Sequence, residues 1–116
     1  KRLIEDAKLL EEAGAFAIVL ELVPREVAEI ITKELKISTI GIGAGLECDI
    51  QVLVLHDLVG MTFGRQPRFV RQYANLREVM TGAIQNWMAD VKSGEYPNEK
   101  ESYGLTEETK KELEIG

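Results

Sequence analysis

Residues 16–23 read Phe-Ala-Ile-Val-Leu-Glu-Leu-Val, an apolar run broken by one carboxylate, Glu21, and stopped by Pro24. A strand solvated on one side alternates apolar and polar residues. An unbroken run with Ile18 and Val19 as strand formers therefore predicts a strand buried on both faces, as in a parallel sheet. Upstream, Leu3, Ile4, Ala7, Leu10 and Ala13 recur at helical spacing, and Gly14 stands where a helix commonly stops. Downstream, Pro24 suits the first turn of a helix, because its missing N–H has no partner there anyway. Val27, Ala28, Ile30, Ile31 and Leu35 supply that helix with one apolar face, and it ends near Lys36. Residues 38–42 read as a second short buried strand running into Gly43, Ala44 and Gly45. Strand, helix, strand predicts a parallel pair joined by a crossover.

Further along, residues 51–55 form another apolar, β-branched run. Its opening residues equally suit a short helix, but the expectation adopted is a third strand ending at His56 and Asp57. Glycine, proline and polar residues mark a loop over 62–67, and a short helical turn is expected over 69–73. Leu76, Val79, Met80, Ala83, Ile84, Trp87, Met88 and Val91 then keep helical spacing for more than four turns. Asn75 and Glu78 form a capping-box pattern at its start, and Gly94 supplies the stop. Beyond Tyr96 and Pro97 the tail is acidic and polar, with a terminal helix expected over 106–113.

Alternating helices and buried parallel strands predict an α/β fold, either an open doubly wound sheet or a closed barrel. Three strands cannot close a barrel, and a sheet of this kind with bare apolar edges invites pairing. More polypeptide is thus expected to complete it, in keeping with a chain that opens inside a helical pattern without an initiator Met.

With 45% hydrophobic and 29% charged residues among 116, the composition is that of a globular domain. A formal net charge of −6 and the absence of a basic stripe argue against nucleic acid as a partner. No apolar run reaches the 18 or so residues that a membrane span needs, and the first residues are charged and amphipathic rather than a signal peptide. The expectation is a cytoplasmic protein. Cys48 is the single cysteine, which excludes an intrachain disulfide or a multi-cysteine zinc site and reads as a packed or loop thiol.

Glu21 is the sharpest candidate for chemistry. A carboxylate between Leu20 and Leu22 in a buried strand costs several kcal/mol unless it is paired, solvated or protonated. Ligands of both α/β architectures bind at the C-terminal ends of the strands, which is where Glu21 lies. Partial burial disfavours the charged form of a carboxylate, a useful property in a general base. The competing reading is a structural carboxylate that caps the next helix or pairs with an arginine.

Gly41, Gly43 and Gly45 alternate off the end of the second strand. On one strand face they would leave it bare, so that a substrate can approach Gly41 and Gly43 closely; tight packing at a strand–loop junction is the other reading. The spacing is not that of a dinucleotide fingerprint. His56 and Asp57 point to opposite faces of an extended strand and must act separately, if at all. Asp49 and Asp57 belong to no recognisable ligand cluster. Arg65, Arg68 and Arg71 are able to bind an anion, against the default of a solvated surface. Trp87, Met80 and Met88 are core or interface residues on a helix stripe.

Taken together, Leu20-Glu21-Leu22-Val23-Pro24, the loop Gly41-Ile42-Gly43-Ala44-Gly45, and Cys48-Asp49 with Gln51-Val52-Leu53-Val54 and His56-Asp57 resemble the ketopantoate hydroxymethyltransferase family. Phe69-Val70-Arg71-Gln72-Tyr73 and Gly94-Glu95-Tyr96-Pro97 fit the same family in order. The resemblance covers residues 1–104 and leaves 105–116 as an acidic tail. It implies the C-terminal portion of a (β/α)8 TIM barrel of the phosphoenolpyruvate/pyruvate type, followed by C-terminal helices. The implied reaction moves a hydroxymethyl group from 5,10-methylenetetrahydrofolate to 3-methyl-2-oxobutanoate, giving 2-dehydropantoate for pantothenate and coenzyme A synthesis. Glu21 matches the family's proton acceptor. Magnesium (Mg2+) is the implied metal, with its ligands in strands N-terminal to this chain, so that no metal ligand is expected here. The implied partners are the N-terminal part of the barrel and further copies in a homo-oligomer, commonly a decamer. Ile50 departs from the family's usual glycine, and Glu101 and Tyr103 depart from a common His-Ser-Phe ending. The alternatives are another barrel enzyme acting beside a 2-keto acid, and a non-catalytic half-barrel that completes another chain.

Overall fold

A computed structural model describes residues 1–114 and divides into two compact units, Lys1–Leu76 and the residues from Arg77 onward. In the first unit, helix α1 (Arg2–Glu12) ends in a left-handed closing turn. Gly14 takes φ 95°, its N–H donates to the Glu11 carbonyl at 2.9 Å, and that of Ala15 donates to Leu10 at 3.1 Å. Two otherwise orphaned carbonyls are satisfied there. Strand β1 (Ala17–Glu21) follows, then helix α2 (Arg25–Glu34). The Pro24 carbonyl accepts the N–H groups of Val27 and Ala28, which makes Pro24 the cap rather than part of the first turn.

Strand β2 (Ser38–Ile42) lies parallel to β1, with Ala17 beside Ser38 and Glu21 beside Ile42. Strand β3 is only Ile50–Gln51, parallel to β2, so the sheet order is β1-β2-β3. The parallel crossover expected from the sequence is present. The longer third strand is not. Gly41 accepts one more ladder bond from Val52 N–H at 3.0 Å, and the chain then leaves the sheet. The end of the apolar run, not its opening, forms the one-turn helix α3 (Leu55–Leu58), with Val54 O accepting the N–H groups of Asp57 and Leu58. The helical turn expected over 69–73 is also absent. A single bond from Val70 N–H to Pro67 O at 3.1 Å closes a turn, and the backbone runs on without helix to α4.

The core joins Ala7 of α1, Ile18 and Leu20 of β1, Ala28 and Ile31 of α2, and Leu35, Ala44 and Cys48. Both helices therefore cover one face of the sheet. On β1 burial alternates: Ile18 and Leu20 are buried, whereas Val19 is 60% exposed and Glu21 is exposed as well. Burial on both faces, the expectation from the apolar run, does not hold among the described residues, because α1 and α2 pack on the same side.

Polar groups tie this layer together. Glu11 Oε1 accepts the N–H of Lys36 at 2.6 Å and of Ile37 at 2.9 Å, clipping the end of α1 to the approach of β2. Asp49 Oδ2 accepts both the backbone N–H (2.8 Å) and the hydroxyl (3.2 Å) of fully buried Thr39, whose Oγ1 also lies 2.8 Å from Thr32 Oγ1. Asp49 is thus a structural carboxylate, paired because an unpaired buried Thr39 N–H would be costly.

Helix α4 (Leu76–Ser93) ends as α1 does, with Gly94 at φ 81° and Glu95 N–H donating to Asp90 O at 2.9 Å. None of its residues is buried; Trp87 meets Tyr96 edge to face, at a centroid distance of 6.4 Å. A 3-10 turn, Glu99–Glu101, is closed by a capping box from Asn98. Helix α5 (Glu107–Glu112) starts where expected, with Thr106 accepting the Thr109 N–H as its cap.

Candidate active site

Glu21 is the last residue of β1, and its exposed side chain stands on the face of the sheet that the helices leave open. Around it lies an open cleft of about 1360 Å³ at the C-terminal ends of β1 and β2, lined also by Gly43, Gly45, Gln51, Phe69 and the arginines 25, 68 and 71. A smaller hollow of about 650 Å³ adjoins it, shares Gly43, Gln51, Phe69 and Arg71, and runs on to Leu58 and Tyr73. This is the end of a parallel sheet where ligands bind.

The backbone after Glu21 is strained. Leu22 takes φ 55°, the left-handed region that a branched side chain rarely enters, at a cost of about 1–3 kcal/mol. Its N–H donates to Ile42 O at 2.9 Å, which extends the β1–β2 ladder by one bond and holds the strain in place. The sequence offered no sign of this, since a leucine there reads only as another apolar residue.

The three alternating glycines do not share a face. Gly41 lies beside Leu20 in the ladder and faces the helices; a Cβ on it would sit 2.8 Å from Cys48 Sγ. Gly43 and Gly45 are past the end of β2, with φ 65° and 88°. A Cβ on Gly43 would come within 3.0 Å of both Leu22 Cδ2 and the Phe69 ring, and one on Gly45 within 2.6 Å of Arg25 Cβ. Gln51 Nε2 donates to Gly45 O at 2.8 Å and steadies the loop. Of the two glycines expected near substrate, then, Gly43 lines the cleft with Glu21 and Gly41 does not.

His56 and Asp57 lie on α3 and line neither hollow. Being helical, they do not point to opposite faces of a strand. Asp57 Oδ1 accepts the Thr62 hydroxyl, and His56 O accepts the Met61 N–H at 2.7 Å. Among the described residues, no group of three or more His, Cys, Asp or Glu side chains is placed to hold a metal ion. Among the described residues, Glu21 is the one carboxylate lining the cleft, against three arginines. Magnesium takes oxygen ligands in octahedral array and does not fit that set. Arg25 Nε donates to Glu26 Oε1 at 2.8 Å, which holds the Glu26 carboxyl below its ordinary range and the guanidinium above its own.

The family model described as ketopantoate hydroxymethyltransferase matches residues 1–99. The chain belongs to that family. Among curated relatives, the 3-methyl-2-oxobutanoate hydroxymethyltransferase of Clostridium botulinum is 58% identical over 113 residues, which is 97% of this chain and 41% of that protein. The enzyme of the same name from Clostridioides difficile is 50% identical over 92% of this chain and 39% of its own length. That from Phocaeicola vulgatus is 56% identical over 89% and 38%. The chain thus spans about two fifths of the curated hydroxymethyltransferases it matches. Leu22, Arg25, Gln51 and Phe69 are among the cleft residues that reading the sequence for chemistry did not single out. Gln51, a lone polar residue in an apolar run as Glu21 is, carried the one signal that was there to find.

Proposed function

We propose that this chain is the C-terminal portion of a (β/α)8 barrel of the phosphoenolpyruvate/pyruvate type, with residues 105–116 as a tail, and that the complete enzyme transfers a hydroxymethyl group from 5,10-methylenetetrahydrofolate to 3-methyl-2-oxobutanoate. Glu21 is its general base. The observation that carries this reading is the position of Glu21: a carboxylate ending a parallel strand, directed into a cleft at the strand ends, in a chain of this family. The carboxylate takes the proton from C3 of the keto acid, and the C–H electron pair becomes the enolate. The enolate carbon forms a bond to the folate-borne methylene carbon; as both methylene–nitrogen bonds break, water gives that carbon the hydroxyl of 2-dehydropantoate, and the two folate nitrogens take up the water's second proton and the proton held by Glu21, leaving tetrahydrofolate. Gly43 borders the substrate through its backbone beside Glu21, the place of its side chain being taken by Leu22 and Phe69. Magnesium ligands belong to polypeptide outside this chain, and no step here is assigned to the ion.

The same reading makes the protein a cytoplasmic homo-oligomer, a decamer, with the exposed apolar stripe of α4 as contact surface. Glu21→Gln in the complete enzyme is expected to slow exchange of the C3 proton in D2O by about 10²–10⁴-fold while the keto acid still binds. Exchange at the wild-type rate would exclude Glu21 as the base.

A further inference from the structure

We propose that Arg68 and Arg71 form the binding rim for the glutamate carboxylates of the folate co-substrate, so that the enzyme favours folates with longer glutamyl tails. The proposal rests on the folate-dependent reading above and adds to it where the second substrate lies.

The first support is charge. Positions 58–77 hold four arginines, 65, 68, 71 and 77, and no carboxylate, in a chain with 20 acidic residues. Arg68 and Arg71 of that stretch line the cleft beside Glu21. Neither guanidinium has an ion pair or hydrogen bond among the described residues, whereas Arg25, which also lines the cleft, is held by Glu26. A region of net positive charge with two arginines lacking a protein partner, in a chain of charge −6, complements an anionic ligand. The guanidinium fork matches a carboxylate with two parallel hydrogen bonds.

The second support is extent. Glu21 lines only the larger hollow, whereas Arg71 lines both and reaches the side that runs to Leu58 and Tyr73. A five-carbon keto acid must hold its C3 against Glu21 and is a single small anion. A folate places its methylene at the same carbon and trails an aryl group and one or more glutamates away from it. Each glutamate adds a carboxylate beyond the reacting carbon, toward the hollow that Arg71 shares with Leu58 and Tyr73.

The test uses the complete enzyme with mono- and triglutamate forms of methylenetetrahydrofolate. Wild type is expected to show the lower KM for the triglutamate, and that KM should rise with salt as exposed charges are screened. Arg68→Gln/Arg71→Gln should raise the triglutamate KM about tenfold or more, the monoglutamate KM less, and the keto acid KM less than twofold. Arg68→Lys/Arg71→Lys should recover part of the loss, since lysine keeps the charge without the fork. Both side chains are exposed, so circular dichroism should match wild type. Equal wild-type KM values for the two folates, or a loss that falls on the keto acid, would overturn the proposal. Calorimetric binding of tetrahydrofolate triglutamate reads the arginines without turnover. C3-proton exchange reads Glu21 without folate, so failure of either idea is seen separately.

Discussion

Ile18 and Leu20 face the helices from β1, while Val19 and Glu21, alternating with them on the same strand, are exposed on the other face, Glu21 at the cleft. On the helix side, Thr39, Gly41, Cys48 and Ile31 complete a packed layer in which even a glycine hydrogen is matched to a neighbour. On the cleft side, Glu21 meets Gly43, Gln51 and the arginines across open space. Residues one position apart in sequence therefore answer to different demands. One set is held by density, the other by the chemistry of what enters.

The contrast breaks or sharpens under substitution. Ile31→Ala empties a site that is 1% exposed and should lower stability by about 2–5 kcal/mol in urea unfolding, while proton exchange per folded molecule stays at the wild-type rate. A loss of exchange in the folded fraction would mean that the two faces are coupled. Gly41→Ala should cost about 1–3 kcal/mol through its collision with Cys48, and Gly41→Ala/Cys48→Ala should regain much of it. If Gly41→Ala instead raised the keto acid KM with unfolding unchanged, Gly41 would belong with the substrate, and the division between faces would fail.

The smallest effect is expected at the rim of the packed side, where Lys8 of α1 pairs with Glu34 of α2. The hydrogen bond and charge of Glu34 raise the Lys8 ammonium above its ordinary value of 10.5. Its contribution is therefore fully present below that value and lost as pH rises through the folded one. Lys8→Met should be slightly less stable than wild type at neutral pH, and the gap should close in strongly alkaline buffer, as thermal melts across pH would show.

Much of the packed side was legible beforehand. The spacing of Leu3, Ala7 and Leu10 with Gly14, and of Ala28, Ile31 and Leu35 after Pro24, placed both helices, the strand between them and the one that follows. Hydrophobic periodicity reports which residues seek cover but not whether this chain supplies it, so Val19 and Val52 read like Ile18. The third strand was overdrawn for a related reason. Residues 51–55 have strand character, but β2 offers a ladder partner only as far as Val52 N–H, and a helical turn satisfies the backbone that follows. Glu21 was legible because a carboxylate in an apolar run is an anomaly. Gly41 misled because glycine looks the same whether a substrate or a cysteine takes the place of its side chain.

The left-handed turn at Leu22 has a bearing on motion. Glu21 is pinned through its backbone on one side by the β1–β2 ladder and on the other by Leu22 N–H bonded to Ile42. Its carboxylate, by contrast, makes no hydrogen bond or ion pair among the described residues. The group is mounted on a stationary post with a free arm. In the role proposed for Glu21, a carboxylate mounted so stays at the strand end while its oxygens rotate on the picosecond-to-nanosecond scale of exposed side chains. It can collect a proton in one orientation and release it to water in another, with no movement of the main chain.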